Sequence, residues 1–277
     1  MAVRLREGRA RQKRGLAPVD AILEVEFATL STPRRERERV RGIYEEQSAL
    51  LLELLTARFA GKSIEAIPEE ELFPEISRIY YSKFPVAYDS DAAMSEAVLT
   101  RKDNCRFGSL MAGDVLSRLG REVGVIIAPQ HVLLKGRFFS LETGSPPEDC
   151  IFPNALLTRK YPVRQEAGLD SLLALAYNWR GMRLCGMGRH AEELAAYSKA
   201  LEICPGYIQA MENKGIALGA LHRFDESRAV FKEAARISPL DSRVERGERF
   251  VMIREIALLD EGNGFKPRGR SPGRKQP

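Results

Sequence analysis

The chain has 277 residues, of which 44% are hydrophobic and 29% charged; this is typical of globular proteins and excludes a collagen-like or wholly disordered chain. No stretch approaches the roughly 18 apolar residues of a membrane span, and no apolar segment follows the basic N-terminus as in a secretion signal. The four cysteines do not suggest a disulfide framework. We therefore expect a cytoplasmic protein. The net charge of +5 arises because residues 1–14 and 264–277 each carry +5, which leaves an acidic body of −5 and argues against a dedicated nucleic-acid-binding domain.

The two ends of the chain are rich in basic residues and lack apolar periodicity. We expect residues 1–15 and 263–277 to be basic, disordered tails that aid solubility. Binding of nucleic acid through phosphate contacts is the alternative role for these tails.

Helices are predicted throughout the first hundred residues. Residues 36–59 place apolar side chains near helical spacing, and the arginine-rich run at their start indicates a solvent-exposed helix face. Residues 69–82 predict a second helix with Pro74 inside it, and residues 90–100 a shorter third helix.

Strand patterning begins after a fourth predicted helix, which covers residues 105–119 and ends at Gly120. Three short apolar segments follow, rich in β-branched and aromatic residues and separated by turn-like residues. They predict antiparallel strands over 122–128, 131–135 and 137–142. A helix followed by a meander of strands predicts an α+β fold class.

The last third of the chain contains an internal repeat. A shift of 34 residues superimposes similar residues: Ala176 on Ala210, Gly181 on Gly215, Tyr197 on Phe231, Ala200 on Ala234, and Pro205 on Pro239. This period resembles the tetratricopeptide repeat, a pair of antiparallel helices, and implies repeats over 174–207 and 208–241. Residues 242–261 have an amphipathic pattern that predicts a helix capping the array.

Three residues of the middle region could form a catalytic group. Cys105 follows the residues Asp103 and Asn104, which favour helix N-caps, so it is predicted in the first helical turn. There, unpaired backbone N–H groups and the helix dipole stabilise a thiolate. His131 opens the second strand and Glu142 ends the third, and the two ends can lie side by side. A nucleophile, a base and a carboxylate that orients the base form the general triad arrangement.

The segments LTRKDNCRFGSLMAGDVLSRLG, VGVIIAPQHVLLKG and RFFSLETG resemble the core of the transglutaminase-like superfamily, which shares the papain-like fold. With the repeats that follow, the chain resembles bacterial SirB-type proteins over roughly residues 75–241. The resemblance implies that Cys105 forms a thioester with an acyl donor, that His131 is the general base and acid, and that Glu142 holds His131. The oxyanion would be bound by the backbone N–H of Cys105 alone or with help from Gln130.

Together these patterns predict an α+β fold, with a transglutaminase-like or papain-like domain followed by an all-α tetratricopeptide domain. The first domain, with its helical lead-in, would cover residues 16–160, and the second would cover residues 161–262. The expected function is thiol-dependent acyl transfer, as a peptidase, amidase or transamidase, on a protein or peptide presented by the groove of the repeats. The alternative is a non-catalytic scaffold that binds other proteins through its repeats. Because the sequence has neither metal-ligand spacing nor a Gly-rich phosphate loop, we expect no metal and no cofactor.

Overall fold

A computed structural model describes residues 18–84, 87–89, 92–100, 102–128, 131–143, 145, 148–162, 164–239 and 241–262. The predicted basic tails, 1–15 and 263–277, lie outside these residues. Within them the α-helices are α1 (Val19–Leu30), α2 (Arg34–Arg58), α3 (Glu69–Lys83), α4 (Met94–Thr100), α5 (Cys105–Arg118), α6 (Leu157–Lys160), α7 (Leu172–Gly186), α8 (His190–Ile203), α9 (Ile208–Ala220), α10 (Phe224–Ile237) and α11 (Ser242–Gly262). The helices α2 to α5 lie close to the segments that apolar periodicity predicts.

The strands are β1 (Ala87–Tyr88), β2 (Lys102–Asp103), β3 (Gly124–Ala128), β4 (His131–Lys135), β5 (Phe139–Leu141), β6 (Ile151–Pro153) and β7 (Gln165–Gly168). The first two form a short parallel pair. The other five form one antiparallel sheet in the order β6-β5-β4-β3-β7. Helix α5, which precedes this sheet in the chain, packs on β4.

The central strands β3 and β4 of the five-stranded sheet are buried on both faces. Because side chains alternate along a strand, Val132 and Leu134 of β4 join the main core with α5, whereas Leu133 belongs to a separate cluster on the opposite face. That second cluster contains Ile126, Leu133, Phe152 and Leu157, with Tyr161 packed against it. His131, two residues before Leu133, shares this second face.

Helix α5 is buried along most of its length, which fits its content of small and apolar residues. It contacts α2 and α4 as well as β4 of the sheet. Helix α7 contacts both α1 and α5. The first helix of the predicted repeat region therefore packs directly on the helix that begins with Cys105.

Two helix pairs, α7 with α8 and α9 with α10, occupy the predicted repeat segments. In each pair a glycine faces an aromatic ring: Gly181 lies against Tyr197, and a Cβ atom at Gly215 would lie 2.6 Å from the ring of Phe231. The turns also correspond, since Gly188 has φ of 70° and His222, 34 positions later, has φ of 61°. The backbone thus repeats with the 34-residue period of the sequence, while the assignment to tetratricopeptide repeats stays a prediction.

The chain divides into two compact units, Met1–Ala210 and Met211–Pro277. The first contains the five-stranded sheet and the helices α1 to α8. In the second, α10 packs on α11. The predicted boundary after residue 160 lies within the first unit, because α7 contacts α1 and α5. The predicted division into four regions stays a prediction.

The predicted fold class, an α+β transglutaminase-like or papain-like domain followed by an all-α repeat domain, is wrong. The structure is 71% helical and has one small five-stranded antiparallel sheet. The strand pattern that suggested the mixed class covers little more than residues 122–142, whereas helices occupy most of the chain before and after it. Within the described part of the chain, no helix is both long enough and apolar enough to cross a bilayer.

Candidate active site

Cys105 is the first residue of α5, and Asn104 caps that helix. The Asn104 side chain accepts hydrogen bonds from the backbone N–H groups of Arg106 (3.1 Å) and Phe107 (3.0 Å). Its amide donates to the backbone oxygens of Asp89 (3.2 Å) and Ala92 (3.1 Å), which ties the helix start to the preceding segment. The cap does not use the N–H of Cys105, so this group is a candidate donor to an oxyanion at the thiol.

The sheet register explains how His131 meets Glu142. Strand β4 pairs with β5 so that Leu134 lies opposite Leu141. Continued by one more residue, this register puts Glu142 opposite Leu133, two residues from His131. The two side chains are therefore diagonal neighbours, whose Cβ atoms lie about 7–8 Å apart in an antiparallel sheet. A long glutamate side chain suits this separation better than an aspartate.

The three predicted residues are in contact. The Nε2 atom of His131 lies 2.8 Å from Oε1 of Glu142; its N–H is not aligned for a straight hydrogen bond to that oxygen, so the contact is best described as an ion pair. The Cys105 thiol interacts with the His131 side chain closely enough to raise the pKa of the imidazole. Because Nε2 faces the carboxylate, Nδ1 is the ring nitrogen left for the sulfur.

The charges of this group stabilise a protonated imidazole. Burial lowers the pKa of His131, but the interaction with Cys105 and the contact with Glu142 outweigh it and raise the pKa to about 9. Burial raises the pKa of Glu142, but the contact with His131 and the hydrogen bonds from Lys160 and Tyr161 outweigh it and lower the pKa to about 2. At neutral pH the group therefore holds an imidazolium beside a carboxylate.

Lys160 and Tyr161 hold Glu142 from the second face of the sheet, and sequence reasoning missed both. The Tyr161 hydroxyl donates to Oε1 of Glu142 at 2.9 Å, and the Lys160 ammonium donates to Oε2. The Tyr161 ring is stacked on His131, with 5.7 Å between the ring centroids. No motif marks these residues in the sequence, because only the fold brings the end of α6 beside β4.

Ser109 and Thr143 connect helix α5 to the segments that carry His131 and Glu142. The hydroxyls of Ser109 and Thr143 lie 3.3 Å apart, and Ser109 also donates to the backbone oxygen of Val132 at 3.3 Å. Thr143 donates to the backbone oxygen of Cys105 at 3.4 Å. Both side chains are buried, so these bonds fix the position of α5 relative to the sheet without exposure to water.

Cys105 and His131 open on a cavity of about 550 Å³, a size typical of small-ligand sites. Its wall is formed by the start of α5, the strands β3 and β4, helix α7, one residue just before α9 and one residue in the first turn of α9. These residues are Asn104, Cys105, Arg106, Ile127, Ala128, His131, Val132, Leu175, Asn178, Trp179, Met182, Arg183, Tyr207 and Gln209. Only 6% of Cys105 is exposed, so a reagent would reach its thiol through this cavity.

The remaining sequence candidates lie elsewhere. Gln130, the candidate oxyanion residue, is outside the described residues. Cys150 and Cys204 are buried and Cys185 is exposed; burial raises the pKa of all three thiols, and Glu193 adds to the rise at Cys185. Among the residues that the structure describes, no group of three or more His, Cys, Asp or Glu side chains could hold a metal ion.

Comparison of the chain with family models, curated proteins and solved structures finds no match. The resemblance to transglutaminase-like proteins therefore depends on the sequence motifs alone. The contacts among Cys105, His131 and Glu142 are the structural feature that points to a function.

Proposed function

We propose that the protein is a cysteine-dependent acyl-transfer enzyme that acts on a protein or peptide as a peptidase, amidase or transamidase. The observation that carries the proposal is the contact of His131 with both the Cys105 thiol and the Glu142 carboxylate at the wall of a cavity. A thiol, an imidazole and an orienting carboxylate in this order are the parts needed for nucleophilic catalysis.

The proposed reaction has two stages. The Cys105 thiolate attacks the substrate carbonyl, and the resulting oxyanion lies near the backbone N–H of Cys105. The C–N or C–O bond then breaks, and the His131 imidazolium donates its proton to the leaving amine or alcohol. In the second stage His131 removes a proton from water or an acceptor amine, which attacks the thioester. The C–S bond breaks and Cys105 leaves as the thiolate, which restores the starting thiolate and imidazolium. Glu142 keeps the ring oriented and stabilises its charge throughout.

Alkylation kinetics test this proposal. The intact protein is treated with iodoacetamide, and modification of each cysteine is followed by peptide mass spectrometry. Exposure alone predicts that Cys185 reacts first, since it is the exposed cysteine of the four. Activation by His131 predicts that Cys105 reacts first despite its burial. We expect Cys105 to react at least about tenfold faster than Cys185, and His131→Ala to abolish the difference.

Acyl transfer itself needs a second readout. A p-nitrophenyl ester should acylate Cys105, with the adduct located by mass spectrometry, and an added amine should accelerate its release if the enzyme is a transamidase. Cys105→Ser is the matched variant, since it changes only the nucleophilic atom. An ester that acylates other residues equally well would contradict the proposal.

The low exposure of Cys105 favours a second candidate, the non-catalytic scaffold. If Cys105 reacts only after denaturation, the triad is inert. The helix pairs α7–α8 and α9–α10 would then be the part of the chain that binds a protein partner.

A further inference from the structure

The cavity beside Cys105 carries positive charge from side chains outside the triad. Besides His131, the charged side chains among the described residues of its wall are Arg106 and Arg183, and no carboxylate side chain is present there. Glu142 contacts His131 but does not line the cavity. Positive charge in a partly enclosed space attracts anions.

The two arginines differ in what they contact. Arg106 donates to the backbone oxygen of Ala92 at 3.3 Å, and its charge interacts with that of the buried Glu26. The guanidinium of Arg183 lies 5.8 Å from the centre of the Trp179 ring. Within the described residues no carboxylate lies within ion-pair distance of Arg183. Its charge is therefore available to a ligand, and stacking over the indole orients it.

A hydrogen-bonded chain adds a second donor to the same wall. Asn178 donates from its amide to the Tyr207 hydroxyl at 3.3 Å, and this hydroxyl donates to Oε1 of Gln209 at 3.2 Å. Because Tyr207 occupies the Gln209 oxygen, Gln209 presents its NH₂ group, which is a donor only. Asn178 is buried, so this chain is anchored in the protein interior.

We propose that the acyl donor carries a carboxylate in addition to its reactive carbonyl, and that Arg183 and the Gln209 amide bind this carboxylate. The inference rests on the proposed function, because it identifies the cavity as the acyl-donor site of Cys105. A guanidinium and a neutral NH₂ donor match a carboxylate, which only accepts hydrogen bonds. The apolar surfaces of Trp179 and Met182 would contact the carbon chain between the two groups.

Trp179 provides a direct assay, since it is the single tryptophan of the chain and lines the cavity. Glutarate is titrated at constant ionic strength while tryptophan fluorescence is recorded, and glutaramide, with the same carbon chain and no charge, is the matched ligand. The titration is made with both the wild-type protein and Cys105→Ala, because binding does not require the thiol. A blocked peptide, acetyl-Gly-Glu-Gly-amide against acetyl-Gly-Gln-Gly-amide, distinguishes an acidic peptide side chain from a free diacid.

We expect the acidic ligand of at least one pair to bind saturably. Its neutral counterpart should have a Kd at least about tenfold higher. Arg183→Gln should raise the Kd of the acidic ligand by roughly 10- to 100-fold, and Arg183→Lys should recover part of the loss. Arg180→Gln is the matched control, since Arg180 lies on the same helix but outside the cavity wall. It should change the Kd less than about twofold.

The result separates the two proposals. Carboxylate binding without Cys105 reactivity would support the anion site and overturn the acyl-transfer function. A reactive Cys105 with no difference between acidic and neutral ligands would overturn the carboxylate inference alone. Equal effects of Arg183→Gln and Arg180→Gln would also overturn it, because general positive charge rather than a built site would then explain the preference. The carboxylate inference would likewise be overturned if no acidic ligand binds saturably at concentrations up to about 50 mM.

Discussion

The pKa of His131 depends on the Glu142 carboxylate, and Glu142→Gln tests that dependence while nearly preserving the size of the side chain. The substitution removes the negative charge that lies 2.8 Å from Nε2. It also leaves the Lys160 ammonium, which donates to this carboxylate, without its counter-charge near the imidazole. Both effects destabilise the imidazolium, so the pKa of His131 should fall.

The size of the fall follows from the geometry. An opposite charge within about 4–6 Å shifts a pKa by about 1–3 units, and the side chains of His131 and Glu142 are 22% and 11% exposed, so screening by water is partial. We expect a decrease of about 2 units from the value of about 9, which corresponds to roughly 3 kcal/mol. At pH 8 the protonated fraction would fall from about 90% to about 10%, by the same relation.

The ion pair should also give stability a defined pH range. His131 has a raised pKa, so its contribution is complete below about 6.5 and is lost as the pH rises through about 9. Glu142 has a lowered pKa, so its contribution is complete above about 4.5 and is lost as the pH falls through about 2. The two shifts describe one interaction and are counted once. The difference in unfolding free energy between wild type and Glu142→Gln should therefore be largest between about pH 4.5 and 6.5.

Histidine titration by NMR measures the shift directly, because the chain has three histidines and His131→Ala identifies the signal. Glu166→Gln is the matched control: Glu166 lies on β7 and pairs with Lys135 and Arg164 rather than with His131. A His131 signal that titrates near 6.5 in the wild type would refute the reasoning. So would a pKa that differs by less than about 0.3 between wild type and Glu142→Gln.

Three further changes test the local structure, each by urea unfolding. Asn104→Ala removes the cap of α5. It should lower the unfolding free energy by about 1–2 kcal/mol and slow the alkylation of Cys105. If both values are unchanged, the cap does not position the thiol. Gly181→Ala would place a methyl group against the Tyr197 ring and should lower the unfolding free energy by about 1–3 kcal/mol. Gly186→Ala, in open space on the same helix, should not lower it. Equal losses of unfolding free energy in the two variants would disprove close packing as the cause. Gly188→Ala should lower the unfolding free energy by about 1 kcal/mol because φ of Gly188 is positive. His222→Gly, at the equivalent turn, should not lower it. The opposite order would contradict the assigned backbone conformation.

Local sequence signals were sufficient for most helices near the site. The periodicity of residues 105–119 predicted a helix, and α5 covers Cys105–Arg118. The pair Asp103 and Asn104 before Cys105 indicated a cap without deciding between the two residues, and the structure assigns it to Asn104. Helix α1 went unpredicted although Pro18 precedes it and proline is common at helix starts. The strands β6 and β7 were also missed, because segments of three and four residues are too short to show alternation.

The sequence by itself pointed to the three residues that the structure brings into contact, to the start of α5 and to the 34-residue period, since each depends on residue type and spacing within a short segment. It did not determine the fold class, because the amount of strand and the packing of helices on the sheet depend on contacts distant in sequence. Tertiary structure alone decided that Lys160 and Tyr161 hold Glu142. It also decided that Arg183, from the predicted repeat region, lines the cavity of Cys105, because α7 packs on α5 and no pattern within either helix encodes that contact.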